Sequence, residues 1–363
     1  MIRKIVAVWV ILAMLAGFVV ILDVVTYLTP PVRAAIITVD DSGGADYLTI
    51  QEAIDGANPG DTIFVSNGTY YENVVVNKTI NLIGEDKNST IIDAGGIGKV
   101  INISAEWVNI TGFTIMNSGT SGYPDDNAGL KLWNTQNCCI ESNNLVDNWF
   151  GIDIQFSNDN IVKSNNISNN LYGIYVWFSL NSHISNNNIL FNDQVGIRAA
   201  YSPMNNITHN NVSHNHAGIT LHFPSHNSSI TYNNVSNNGY GISVGSSSNN
   251  SIVVCNLLLN NSIGFSLSSS YTTITHNVIS FSNYKGLSIQ GSSNNNIITD
   301  NTVSNTNHEG IYLDGIQMSR TRPFENVLFG LGIRYVGKTV AEKLAQHFRD
   351  IDHIKEASYE ALI

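Results

Sequence analysis

Charge is what this chain has least of. Of its 363 residues, 12% are Asp, Glu, Lys or Arg, about half the usual share. The balance is acidic, with 17 Lys and Arg against 28 Asp and Glu and a formal net charge of −11. A body so charged is not expected to hold nucleic acid through its phosphates. Cysteine is scarce too: Cys138, Cys139 and Cys255. Two are neighbours and the total is odd, so no disulfide framework is implied, and the spacing is not that of a metal site. With 43% hydrophobic residues and so few charges, solvation falls to the amides and hydroxyls of Asn and Ser.

What the chain has is a period. A phrase of glycine, an apolar residue, a variable residue and usually another aliphatic returns nine times. It reads GLKL at Gly129, GIDI at Gly151, GIYV at Gly173, GIRA at Gly196 and GITL at Gly218. It continues as GISV at Gly241, GFSL at Gly264, GLSI at Gly286 and GIYL at Gly310. Successive glycines lie 22, 22, 23, 22, 23, 23, 22 and 24 residues apart. Such a period is read before anything else. Each period holds three apolar pulses, for example Ile152/Ile154, Ile161 and Ile167. The pulses alternate over a few residues with β-branched centres, which predicts strands. Asn, Ser and Gly between them predict turns. One unit cannot bury its own apolar face, but stacked units can, each strand pairing in parallel with its copy in the next. The pairs Asn143-Asn144, Asn165-Asn166, Asn187-Asn188, Asn210-Asn211 and Asn233-Asn234 precede the third pulse. In strict register they would form hydrogen-bonded columns.

These motifs resemble the right-handed parallel β-helix proteins of the pectate-lyase-like superfamily. They are similar in particular to its short-repeat branch, which includes the NosD-type periplasmic copper-protein accessory family. The resemblance spans about residues 36–313. It implies an all-β fold, a right-handed parallel β-helix with three strands per 22–24-residue coil. It is specific for fold and weak for function.

The flanks differ. In residues 1–28, Arg3 and Lys4 precede eighteen uncharged residues from Ile5 to Leu22. That length just spans a bilayer, and the segment is read as a signal or, preferably, an uncleaved membrane anchor. The body is then extracytoplasmic, membrane-anchored or secreted. Around residue 50 a helical pattern begins at Thr49 with Glu52 three residues on, a capping-box signature, and resembles the N-terminal cap of β-helix proteins. Loop 117–127 interrupts the early coils as a candidate lip of a binding face.

Variable positions of the glycine phrase would stack on the outer face as two columns. They contain Lys131 and Trp133, Asp153 and Gln155, Tyr175 and Trp177, Arg198, then Thr220 and His222; Ser243, Ser266 and Ser288 follow. Aromatic platforms beside polar groups suit sugars. Trp133, Asp153, Tyr175, Trp177, Arg198 and His222 are therefore the candidate carbohydrate-binding residues, for a polysaccharide or cell-surface glycan. If the stripe is catalytic, Arg198 or Lys131 would be the base of a β-elimination, with Asp153 near a Ca²⁺. That resembles polysaccharide lyases by position alone, since those enzymes carry several carboxylates around the metal. His209, His214 and His216 are candidate copper ligands, though they fall at different phases of the coil. No cofactor is required by any motif.

After Leu313 the Asn columns stop and charge returns. Val327, Leu328, Leu331, Val336, Val340, Leu344 and Phe348 show helical periodicity. Residues 318–363 resemble a helix-hairpin-helix fragment of bacterial NAD⁺-dependent DNA ligases. The resemblance implies phosphate contacts at Gly332, Arg334, Gly337 and Lys338. The adenylation motif Lys-x-Asp-Gly is absent; Leu313-Asp314-Gly315 lacks the lysine. No ligase activity is expected. Nucleic acid is not the expected partner of an exported protein, and a gene fusion, frameshift or chimeric assembly accounts for the tail.

Overall fold

The computed structural model describes residues 34–122, 124–291, 293–314 and 338–348. The anchor read at 1–28 lies outside them, as do Gly332, Arg334 and Gly337. Among the described residues no helix is long and apolar enough to cross a membrane.

The body is a right-handed solenoid of three parallel sheets with 12, 11 and 11 strands. Each strand pairs with its copy one coil away. The phrase that opens with glycine forms the sheet with the longest strands, among them Ala128–Trp133, Phe150–Gln155, Tyr172–Trp177, Val195–Ala200 and Ala217–His222. Its inward column runs Ile152, Ile174, Ile197, Ile219, Ile242, Phe265 and Leu287 in unbroken register. All seven side chains are fully buried. The second and third pulses supply the other two walls, such as Val162, Ile184 and Ile207, and Ile167, Ile189 and Val212. The core is thus a stack of aliphatics, one layer per coil.

The repeated glycine is there for room. A Cβ on Gly196 would lie 2.6 Å from the Val212 side chain and 2.8 Å from the Gly218 carbonyl oxygen. Gly151, Gly173 and Gly218 are crowded in the same way by the next coil. At Gly310 a Cβ would meet nothing within 4 Å.

Asparagine fills the corners. Asn143, Asn165, Asn187, Asn210, Asn233, Asn256, Asn277 and Asn301 form a buried ladder. Each backbone N–H donates to the amide oxygen of the next Asn, at 2.9–3.0 Å. Their Nδ2 groups donate to the same oxygens and to backbone carbonyls, as at Asn187, where Nδ2 reaches Val162 O and Asn210 Oδ1. A second ladder, not foreseen, runs through Asn148, Asn170, Asn192, Asn215, Asn238 and Asn261. The outer residues of the Asn pairs also bond in column, as Asn166 to Asn144 and Asn211 to Asn188.

The residue before each rung is left-handed. Ser142, Ser164, Asn186, His209, Tyr232, Cys255 and His276 have φ between 55° and 57°. Such φ is uncommon for residues other than Gly and Asn, and the rung behind each one supplies the inter-coil bond that holds it.

The first coil is closed by helix α1 (Ile50–Gly56), whose buried face is Ile50, Ala53 and Ile54. Thr49 caps it through the Glu52 N–H, as expected. Its first two N–H groups are taken by the Glu72 carboxylate. At the other end Lys78 Nζ donates to the carbonyls of Ile54, Asp55 and Ala57. Charges of the sign that each helix end favours thus come from the neighbouring coil. Helix α2 (Lys338–Phe348) lies in the tail.

Gly196→Ala should lower stability by about 1–3 kcal/mol through overpacking. Gly310→Ala should leave it within about 0.5 kcal/mol. Urea unfolding of the two variants compares them directly.

Candidate functional site

The register brings the two outward columns together as read from the repeat. Lys131, Asp153, Tyr175, Arg198 and Thr220 are successive neighbours, and so are Trp133, Gln155, Trp177, Ala200 and His222. Trp133 and Trp177 stand two coils apart. His209, His214 and His216 do not join them. Their rings pack separately, on Tyr232, Phe191 and Tyr240. Among the described residues no group of three or more His, Cys, Asp or Glu is placed to hold a metal.

Outward does not mean exposed. Lys131 and Asp153 are 2% and 0% accessible. Lys131 Nζ lies 2.9 Å from Asp153 Oδ2 and 3.0 Å from Asp126 Oδ2, the latter brought in by loop 117–127. Gln155 Nε2 also donates to Asp153 Oδ2, at 2.9 Å. Lys131, read from the sequence as a possible base, thus lies buried between two carboxylates and points its amine at them. Asp153, read as a neighbour of Ca²⁺, already faces a cation through Oδ2, and no cluster of further carboxylates joins it among the described residues. Burial pushes the Asp153 carboxyl up to about 6, against the downward pull of Lys131.

Tyr175 packs on Phe150, with Tyr172 alongside. The Arg198 guanidinium sits over the Tyr175 ring at 5.7 Å. Arg198 is half-buried, and its Nε has no hydrogen-bond partner; buried Gln155 Oε1 and Thr220 Oγ1 share that condition. His222 is exposed at the end of its strand. Burial, and then the Arg198 charge, hold its imidazole below the ordinary value.

Beside the columns runs a feature that reading the strands alone misses. Phe156, Phe178 and Tyr201 each follow their strand directly, as does Phe223 after His222. All four are left-handed, with φ of 46–56°. Their rings stack in register: Phe156 on Phe178 at 5.5 Å, Phe178 on Tyr201 and Tyr201 on Phe223 at 4.7 Å, with interplanar angles of 3–6°. Phe156, Phe178 and Phe223 remain 41–43% exposed. Trp133 meets Phe156 edge-on at 76°, and Trp177 is tilted 58° from Phe178. Both indoles therefore stand out of the plane of the stack. The sequence signal was available as aromatics spaced 22, 23 and 22 residues apart.

Comparison with known proteins divides the chain. A model of the right handed beta helix region matches residues 95–258, one of the periplasmic copper-binding protein (NosD) matches 224–328, and a helix-hairpin-helix motif matches 326–363. Among solved structures, the DFA-IIIase of Arthrobacter chlorophenolicus A6 in complex with GF2 aligns with a TM-score of 0.59 at 14% identity, over 77% of this chain and 92% of that one. The Dettilon tailspike protein aligns at 0.56 and 14%, over 77% and 68%. The GH136 lacto-N-biosidase of Eubacterium ramulus aligns at 0.52 and 12%, also over 77% and 68%. These likenesses are of fold. The DNA ligases of Cytophaga hutchinsonii and Flavobacterium psychrophilum are each 57% identical over 51 residues, 14% of this chain. The chain spans 8% of the length of those ligases.

The depressed His222 value has a sign. A neutral imidazole favoured by the fold contributes stability that is complete above the unfolded-state pKa of about 6.5. That contribution is lost as pH falls through the folded-state value. A proton NMR titration should place the His222 midpoint below the ordinary histidine value of about 6.5, and Arg198→Gln should move it upward.

Proposed function

We propose that the outer face of the long-strand sheet binds a glycan, with the aromatic ridge as its platform. The observation that carries this reading is the ridge in register: four stacked rings flanked by Trp133 and Trp177, which keep ring surface outside the stack. Sugars offer apolar C–H faces to such rings and hydroxyls to polar neighbours. Arg198 and His222 are the polar neighbours at hand, and Tyr175 backs the guanidinium. Two coils, about 9.6 Å at the strand spacing of about 4.8 Å, separate the indoles, on the scale of a short oligosaccharide. Fold relatives named a lacto-N-biosidase and XylC with xylose agree with a carbohydrate-related role.

Binding suits the site better than cleavage. Glycosidases need a pair of carboxylates at the bond they break, and the one carboxylate of the two early columns, Asp153, is buried and paired with Lys131. A lyase or hydrolase remains the alternative class, and product release from a polysaccharide panel separates the two. We place the body outside the cytoplasm, in keeping with the charge-free stretch near residue 5 and with the periplasmic protein whose model matches 224–328. A copper-related accessory role rests on that match alone.

On a glycan array the protein should bind a polysaccharide-derived ligand, and Trp133→Ala and Trp177→Ala should each weaken it at least about tenfold, the loss of about 1.4 kcal/mol. No binding by the wild type would overturn the reading. The helix-hairpin-helix match supports a separate proposal for the tail, sequence-independent contact with DNA phosphates. Salt-sensitive duplex binding that vanishes when residues 318–363 are removed would establish it; equal binding by both forms would dismiss it.

A further inference from the structure

An amine and a carboxyl group facing each other in a dry site can do more than pair. Lys131 and Asp153 sit side by side on adjacent strands, with side-chain exposures of 3% and 0%. A second carboxylate, Asp126, touches the same amine and is 13% exposed. The Trp133 ring lies 5.0 Å from Lys131 Nζ, and the next residue in register beyond Asp153 is Tyr175, packed on Phe150. Asp153 Oδ1 is buried with no hydrogen-bond partner. A buried carboxylate retained only for its charge would be expected to have both oxygens bonded.

We propose that Lys131 and Asp153 condense to an intramolecular isopeptide bond, with Asp126 carrying the proton. Within the ion pair, the ammonium passes one proton to Asp153, leaving a neutral amine and a neutral acid. Burial favours that exchange, since it costs more to keep two charges out of water than two neutral groups. The upward displacement of the Asp153 carboxyl points the same way. The amine nitrogen attacks Cγ of Asp153, and a tetrahedral adduct forms. Gln155 Nε2, already 2.9 Å from Oδ2, holds the oxygen that receives the proton and departs. Asp126 takes a proton from the attacking nitrogen and returns it to the departing hydroxyl. The C–O bond breaks, the N–Cγ amide bond is complete, and one water leaves. No oxidant or co-reactant is needed. Neighbouring strands hold amine and acid at an effective concentration on the order of 10⁵ M or more.

The other ion pairs provide a contrast. Lys163 and Glu141 are 2.8 Å apart, but both are 40% exposed. Lys285 and Glu309 are 3.5 Å apart, and the acid is 44% exposed. Neither amine is paired with a second carboxylate among the described residues. Both should stay unlinked. The proposal does not depend on glycan binding.

Mass spectrometry of the full chain tests it. The wild type should be one water lighter than its sequence, trypsin should leave the peptide bond after Lys131 uncut, and fragmentation should show a branched peptide joining residues 131 and 153. Lys163 should be cleaved normally. Lys131→Arg should have its full mass, and Asp126→Asn should form the link at least tenfold more slowly. A folded wild type of full mass, cut after Lys131, would overturn the proposal, as would a branch joining Lys131 to Asp126. Should Lys131→Arg fail to fold, the wild-type peptide map alone decides.

Discussion

Everything in this solenoid depends on how one coil is fastened to the next at its corners. Sheet hydrogen bonds fasten the flat walls, but a coil must turn three times. At each turn the chain goes left-handed, which costs an ordinary residue roughly 1–2 kcal/mol. The Asn rungs offset that cost. Asn187 accepts from the Asn165 backbone and side chain and donates to the Val162 carbonyl and Asn210. A buried donor left without its partner costs about 1–3 kcal/mol, so each rung matters as much as the strain that it offsets. The polar interior of the corners is costly to bury and mostly bonded, which fixes the register of the strands between them.

Because the corner is held from inside by the rung, the left-handed residue in front of it is free to vary outward. Serine, histidine, tyrosine and cysteine occupy one such column. In the column after the long strands the occupants are Phe156, Phe178, Tyr201 and Phe223, and the register stacks their rings. At that corner the rungs are serines, Ser157 N–H donating to Ser179 Oγ and Ser179 N–H to Ser202 Oγ, and the candidate binding face rests on them. The same register places Lys131 beside Asp153 and leaves Arg198 over Tyr175.

The period of the glycine phrase made the fold legible, because each copy repeats the same steric demand. Gly196 and its copies read as a motif since a side chain there would strike the next coil. The first ladder was legible as doubled Asn. The second, from Asn148 to Asn261, has an equally regular spacing, but only Asn170, Asn238 and Asn261 stand in pairs, and these merge with the general excess of Asn. The outward columns were legible from alternation, whereas the burial of Lys131 and Asp153 was not. That burial depends on neighbouring rings and on Asp126 arriving from a loop outside the repeat. The aromatic ridge lies one residue past each strand, where two-residue alternation stops carrying information.

The ladders also make the solenoid a set of joints in series, and such a column is as strong as its weakest joint. The Asn143 column continues through Asn277 to Asn301. The Asn148 column ends at Asn261, and in the next coil Ser282 takes the position with a buried hydroxyl that bonds to nothing. Under tension along the axis, load would be shared across three sheets and the corners at most joints, but with one corner short between Asn261 and Ser282. The aromatic face and its early coils lie on the Asn261 side of that joint, where the column is unbroken.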